Sequence, residues 1–155
     1  MKEQKLAFNN KDRNRMMDIY SEEITITSEG FSEITNITDH VAGIAEESGF
    51  SEGIVHVFPI GSTASISTIE YEPALVKDMK DKLEEFAPQD QTTRHGETWG
   101  DDNGFSHMRA TMMGPGITVP LKDRGLVLGT WQQIVILNHD NRKRERRIFI
   151  QVIGK

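Results

Sequence analysis

Residues 117–153, ITVPLKDRGLVLGTWQQIVILNHDNRKRERRIFIQVI, decide the fold class. Ile117, Val119 and Leu121 alternate with their neighbours, the two-residue period of a half-buried strand. Asp123-Arg124-Gly125 is a tight hairpin signal, and Leu126 and Leu128 follow it. Trp131 to Leu137 and Arg147 to Ile153 then read as a final hairpin across Asn138–Asn141. Apolar residues at helical spacing are absent from this stretch, so the C-terminal part of the chain is predicted to be strand and turn.

Working back toward the N-terminus, Gly114-Pro115-Gly116 is a turn, and Ser106–Met113 ahead of it reads as another strand. Arg94 to Arg109, RHGETWGDDNGFSHMR, fits neither period and is expected to be a long loop that runs into that strand. A loop of this length in a small domain is usually functional or disordered, and Trp99, Phe105 and Met108 give it apolar anchors. Before it, Pro73 opens a helix whose apolar face is Leu75, Val76, Met79, Leu83 and Phe86, and Pro88 ends it. Ile66, Thr68 and Glu70 mark a strand entered through Gly61. Gly53–Phe58 is a continuous β-branched run, expected to be buried on both faces and stopped by Pro59. Ile34, Ile37, Val41, Ile44 and Ala45 predict another helix, capped by Thr35 or Asn36 and ended by Gly49. Tyr20 to Thr27 alternates as a strand. Residues 1–18 are polar and read as a loosely held arm, leaving 19–155 as one domain. Two helices and about seven or eight strands, mostly in hairpins, make an α+β domain on antiparallel sheet.

The chain of 155 residues can bury a substantial core. Its net charge of −6 argues against nucleic acid or an anionic membrane as a partner. With no cysteine, disulfides and thiolate metal sites are excluded, which leaves His, Asp and Glu as strong ligands. No apolar run approaches a membrane span, and residues 1–18 lack the apolar core of a signal peptide. A cytoplasmic protein is expected.

The candidate chemistry sits in the 94–109 stretch. His95 follows Arg94, and on a strand His107 would share a face with Arg109. Asp101 and Asp102 lie between. Histidines with carboxylates suit Zn²⁺ or another divalent ion, a carboxylate beside phosphate oxygens suits Mg²⁺, and histidines with arginines suit a phosphate; the residues leave these open. Gly61, Ser62 and Thr63 offer hydroxyls and backbone N–H groups to an anion, or form a plain turn. His56 is expected in the core or an interface, and His40 and His139 at the surface. The basic run Arg142–Arg147 reads as a solvated cluster that protects a sheet edge.

Several segments taken in order resemble the secondary thiamine-phosphate synthase family, the YjbQ-like proteins. They are Gly61-Ser62-Thr63-Ala64, Glu70-Tyr71-Glu72-Pro73, Arg94-His95, Asp101 through Ala110, Gly114 through Pro120, and Leu128-Gly129-Thr130-Trp131-Gln132-Gln133-Ile134. The resemblance spans Tyr20 to Gly154. It implies a β-sandwich-like core, a homotrimer with clefts near subunit boundaries, and synthase activity that releases pyrophosphate. Under that scheme Asp101 or Asp102, with His107, holds a metal. Arg94, Arg109 and His107 neutralise the leaving group, and His95 orients a phosphate or acts as general acid. Gly61, Ser62 and Thr63 cradle a second phosphate. Glu70 bonds the aminopyrimidine, Asn103 and Gln132 join the substrate contacts, and Trp131 stacks or packs. Many members have histidines where this chain has Gly61 and Phe105, which depletes any metal set. The rival expectations are a trimeric anion- or metabolite-binding protein and a metal-dependent hydrolase of a phosphorylated small molecule.

Overall fold

The computed structural model describes residues 16–155. Most of the expected arm, residues 1–15, lies outside the described residues. Its end does not: Asp18 already pairs with Gly154 as the first residue of a strand. The elements are β1 (Asp18–Ser28), β2 (Glu33–Asn36), α1 (Thr38–Glu47), β3 (Glu52–Ile60), β4 (Ala64–Glu70), α2 (Pro73–Phe86), α3 (Arg94–Trp99), α4 (Gly104–Met113), β5 (Ile117–Lys122), β6 (Gly125–Leu126), β7 (Gln132–Asn138) and β8 (Arg144–Gly154). The α+β, mostly antiparallel expectation holds. The expected pair of helices becomes four.

A five-stranded sheet runs β1-β8-β3-β5-β6 and a three-stranded sheet runs β2-β7-β4, and every pairing is antiparallel. The main core lies between the sheets and under α1, built from Ile37, Val41 and Ile44, from Val55 and Val57, from Ile134 and Ile136, and from Ile148, Ile150 and Val152. The other face of the small sheet gives Ile34, Val135 and Leu137 to a second cluster with Leu83, Val76, Met79 and Met113. Strand β7 is therefore covered on both sides, which is why Ile134–Leu137 is apolar without interruption. At β3 the expectation was the same and is corrected. Val55 and Val57 point inward, but Ile54 stays 42% exposed and Phe58 39% exposed. Pro59 does not stop the strand either; it sits opposite Ile148, within β3.

The outer face of the large sheet is in consequence unusually apolar. Ile19, Ile153, Ile54 and Pro120 fall in one cross-strand row, and Phe149 and Phe58 lie opposite each other in another. Between these rows run Ser21, Gln151, His56 and Thr118, with His56 Nδ1 2.9 Å from Thr118 Oγ1. His56 thus belongs to an open sheet face rather than to the core.

Local signals account for several element ends, but the predicted Thr35 or Asn36 cap of α1 is corrected: both lie in β2, and Ile37 precedes the helix without a side-chain cap. Glu72 caps α2 by accepting from the Ala74 and Leu75 N–H groups, with Pro73 at the first helical position. Asp123 and Arg124 both take left-handed backbone (φ 52° and 66°), as the two-residue hairpin between β5 and β6 requires. The region 94–113 departs most from expectation. It is two helices, not a loop leading into a strand. Thr93 caps α3 through a hydrogen bond to its Oγ1 from the Gly96 N–H (3.0 Å), and left-handed Gly100 ends it. The two helices then pack so closely that a Cβ on Gly104 would lie 2.1 Å from Thr93 Oγ1.

Candidate functional site

The turn between α3 and α4 gathers the first half of the site. Helix α3 carries Arg94 and His95, and α4 carries His107, with the two imidazole centroids 4.7 Å apart and the rings tilted by 57°. His95 Nε2 lies 3.4 Å from Asp101 Oδ2. Asn103 is buried at the start of α4. With its amide nitrogen turned toward these acceptors, it donates to His95 Nε2 (3.2 Å) and to both Asp101 oxygens (3.1 and 3.2 Å). The amide bridges the Nε2 edge of the His95 ring and the Asp101 carboxylate, so Asn103 orients the site rather than facing a ligand. The Asn141 side chain secures the turn from outside, donating to the Asp101 carbonyl (2.8 Å).

Around these rings lies an open cleft of about 450 Å³, lined by Thr92, Arg94, His95, Gly104, His107 and Met108. His107 also forms part of the wall of a second cleft of about 310 Å³, with Gly61, Ser62, Ala64, Ala110, Thr111 and Pro115. One imidazole therefore stands at the junction of two depressions. Thr92 and the α4 residues Met108, Ala110 and Thr111 were not expected at a site, because a strand reading of 106–113 sends alternate side chains to opposite faces. The Thr92-Thr93 pair ahead of Arg94 was the available signal, since a threonine there is a helix cap.

Other expected site residues are elsewhere. Residues two apart on a helix point to nearly opposite sides, so His107 and Arg109 do not share a face. Arg109 is 1% exposed. Its Nε and Nη2 donate to the Ala87 carbonyl (3.0 and 2.7 Å), Nη1 donates to Ser32 Oγ (2.9 Å), and Nη2 pairs with Glu84 (2.5 Å). Its guanidinium also lies over the Phe105 ring, 4.8 Å from the centroid. It is a structural cation inside the protein, and the expectation that it meets a leaving group is corrected.

Asp102 lines a separate polar depression with Gln89, Asp90 and Glu97, and not the His95–His107 cleft. Among the described residues no three His, Asp or Glu side chains converge to hold a metal ion. Asp101, Asp102 and His107 therefore do not form one ligand set, since Asp102 and His107 line different depressions. Of the glycine turn, Gly61 and Ser62 face the second cleft. Thr63 turns inward, where its Oγ1 donates to Asp140 (3.2 Å) and accepts from Arg146 (2.7 Å). Glu70 and Gln132 are paired at the opposite end of β4, about 20 Å from Ala64 at the ordinary strand rise. Gln132 is occupied with Gly129 and Thr68, and Trp131 beside it is 70% exposed. Within one chain these three do not reach the imidazoles.

Two surface expectations are also corrected. His139 is fully buried, with Ser32 Oγ 2.8 Å from Nδ1 and Ser65 Oγ 2.5 Å from Nε2. Burial, reinforced by the charges of Arg109 and Arg146, pushes its pKa down to about 3, so the ring is neutral. Arg146, from the basic run, is buried as well and donates to Asn138 and Thr63. Arg147 behaves as expected and pairs with Glu23 at the surface (2.6 Å).

The model of the family described as UPF0047 protein YjbQ-like matches residues 22–155. A UPF0047 protein of Methanothermobacter thermautotrophicus is 37% identical over 139 residues, covering 90% of this chain and 95% of its own. The UPF0047 protein YugU of Bacillus subtilis is 30% identical, covering 79% of this chain and 90% of its own. Among solved structures, a YbjQ-like protein of unknown function from Sulfolobus solfataricus superposes with a TM-score of 0.86 at 34% identity, over 90% of this chain and all of that one. These matches correct the expectation of thiamine-phosphate synthase, or of any such transferase. Thiamine-phosphate synthase is a different family, and the family matched here has no assigned activity.

Proposed function

The chain belongs to the UPF0047, YjbQ-like family, and on that footing we propose that the joined clefts around His107 bind a phosphorylated small molecule of the cytoplasm. The observation that carries this reading is the pairing of the His95 and His107 rings, 4.7 Å apart, in an open cleft beside Arg94. Imidazole N–H groups and a guanidinium are donors suited to phosphate oxygens. The cleft is large enough for a small ligand. The phosphate sits against Arg94, His95 and His107. The organic part extends past His107 over the small residues Gly61, Ala64, Ala110 and Pro115. Calorimetry with inorganic phosphate tests the anion subsite: saturable binding is expected, weakened more than about tenfold in His107→Ala through loss of a charge-assisted contact. Equal binding by wild type and His107→Ala removes the proposal.

The assembly is proposed to be a homotrimer. Its support is the outer face of the large sheet, where Ile19, Ile54, Phe58, Ile60 and Phe149 are exposed on either side of the row that holds His56. Closed symmetric assembly is the usual way to cover such a face. Light scattering is expected to give three chain masses, and a single chain mass at micromolar concentration would refute it.

A further inference from the structure

We propose that His139 is a positioning residue of the cleft, fixing helix α4 against the start of β4 and so setting the gap between His107 and the Gly61–Ser62 turn. Three observations meet at this ring. Its Nδ1 faces Ser32 Oγ, which in turn receives Arg109 Nη1 from α4. Its Nε2 faces Ser65 Oγ on β4, next to the cleft-lining Ala64. Its backbone N–H donates to the Thr63 carbonyl (2.9 Å), the anchored end of the glycine turn. A buried chain of hydrogen bonds thus runs from one wall of the second cleft, α4, to the other.

The chain also has a direction. Arginine only donates, so Ser32 Oγ accepts from Arg109, and the direction assigned to the chain has it give its own hydrogen to His139 Nδ1. On that assignment the proton of the neutral ring sits on Nε2 and is donated to Ser65. A fully satisfied buried network of this kind adds rigidity to the packing of Phe105 and Ala110 on α4. The Gly61–Ser62 turn on one side of the cleft and α4 on the other are thereby tied to the same imidazole.

The inference rests on the phosphate-binding reading only for its effect on a ligand; the positioning itself can be measured without one. The experiment is NMR of protein carrying ¹⁵N-labelled histidine, with inorganic phosphate as the probe. His139 is expected to show the Nε2–H tautomer at pH 7 and to keep it at pH 5. Ser65→Ala is expected to move the His107 ring resonances in the ligand-free protein and to weaken phosphate binding about tenfold through misplacement of a binding group. Ser65→Thr, which keeps the hydroxyl, is expected to restore both. Ser32→Ala provides the same test from the α4 side should Ser65→Ala fail to fold. His107 resonances at their wild-type positions in the alanine variant would overturn the proposal, and a proton on His139 Nδ1 would overturn the direction assigned to the chain. Phosphate that leaves the wild-type His95 and His107 signals unmoved defeats the binding reading alone, and the ligand-free comparison still decides the positioning role.

Discussion

Arg109 and His139 show how much of this protein's polarity is internal. Arg109 satisfies the Ala87 carbonyl, Ser32 and Glu84 from a fully buried position. Removing it strands the Ala87 carbonyl and Ser32, whereas Glu84 is 42% exposed and can turn to water. Arg109→Met is therefore expected to lower stability by about 1–3 kcal/mol, the cost of leaving buried polar groups unsatisfied, as read by urea unfolding. His139 gives a pH dependence whose sign is fixed. Its folded pKa is held near 3, below the ordinary 6.5, by burial and by Arg109 and Arg146. The ring's contribution to stability is complete above about pH 6.5. Between there and about pH 3 the unfolded chain binds a proton that the folded chain refuses. Stability should fall by as much as about 1.4 kcal/mol per pH unit over that window. In His139→Gln this part of the slope should vanish, and an unchanged slope would assign the acid sensitivity to other groups.

At the scale of elements, the close fit of α3 on α4 brings the imidazoles together. Gly104→Ala places a methyl 2.1 Å from Thr93 Oγ1 and 2.8 Å from its Cβ, so the helices must part. A loss of about 1–3 kcal/mol is expected from such overpacking, with a shift of the His95 and His107 resonances. Thermal unfolding at the wild-type temperature would contradict it. The same elements show where sequence and structure diverge. Helix α2 was legible because Pro73, Pro88 and a long apolar face agree, and the β5–β6 hairpin because Asp123-Arg124-Gly125 suits its backbone. Helix α4 was not legible, since GFSHMRATMM buries Phe105, Ser106, Arg109 and Ala110 and so mixes polar with apolar residues on its inner face. That polar content belongs to the Arg109 network, which exists only once Ala87 and Ser32 have been brought beside it. His95, His107 and Asp101 could be found as a cluster by proximity in sequence. Placing Arg109 among them failed because its face depends on helix or strand. Grouping Glu70, Trp131 and Gln132 with them failed because resemblance carries no distance.

At the scale of the molecule, one face of the sandwich is finished and one is not. The small sheet is covered by α2 and α4, whereas the large sheet presents Phe58, Phe149 and Ile54 outward. Phe58→Asp places a charge opposite Phe149 in the middle of that face. It is expected to convert three chain masses to one in light scattering while leaving the circular dichroism of the fold unchanged. A trimer that survives the substitution would move the interface elsewhere.

The central claim is that the paired imidazoles form a phosphate subsite, and a crystal structure of the protein equilibrated with inorganic phosphate tests it most directly. The account predicts an anion within hydrogen-bond distance of both His95 and His107, with Arg94 closing over it. Crystals saturated with phosphate that show the ion elsewhere, or the two rings still empty-handed, would contradict it.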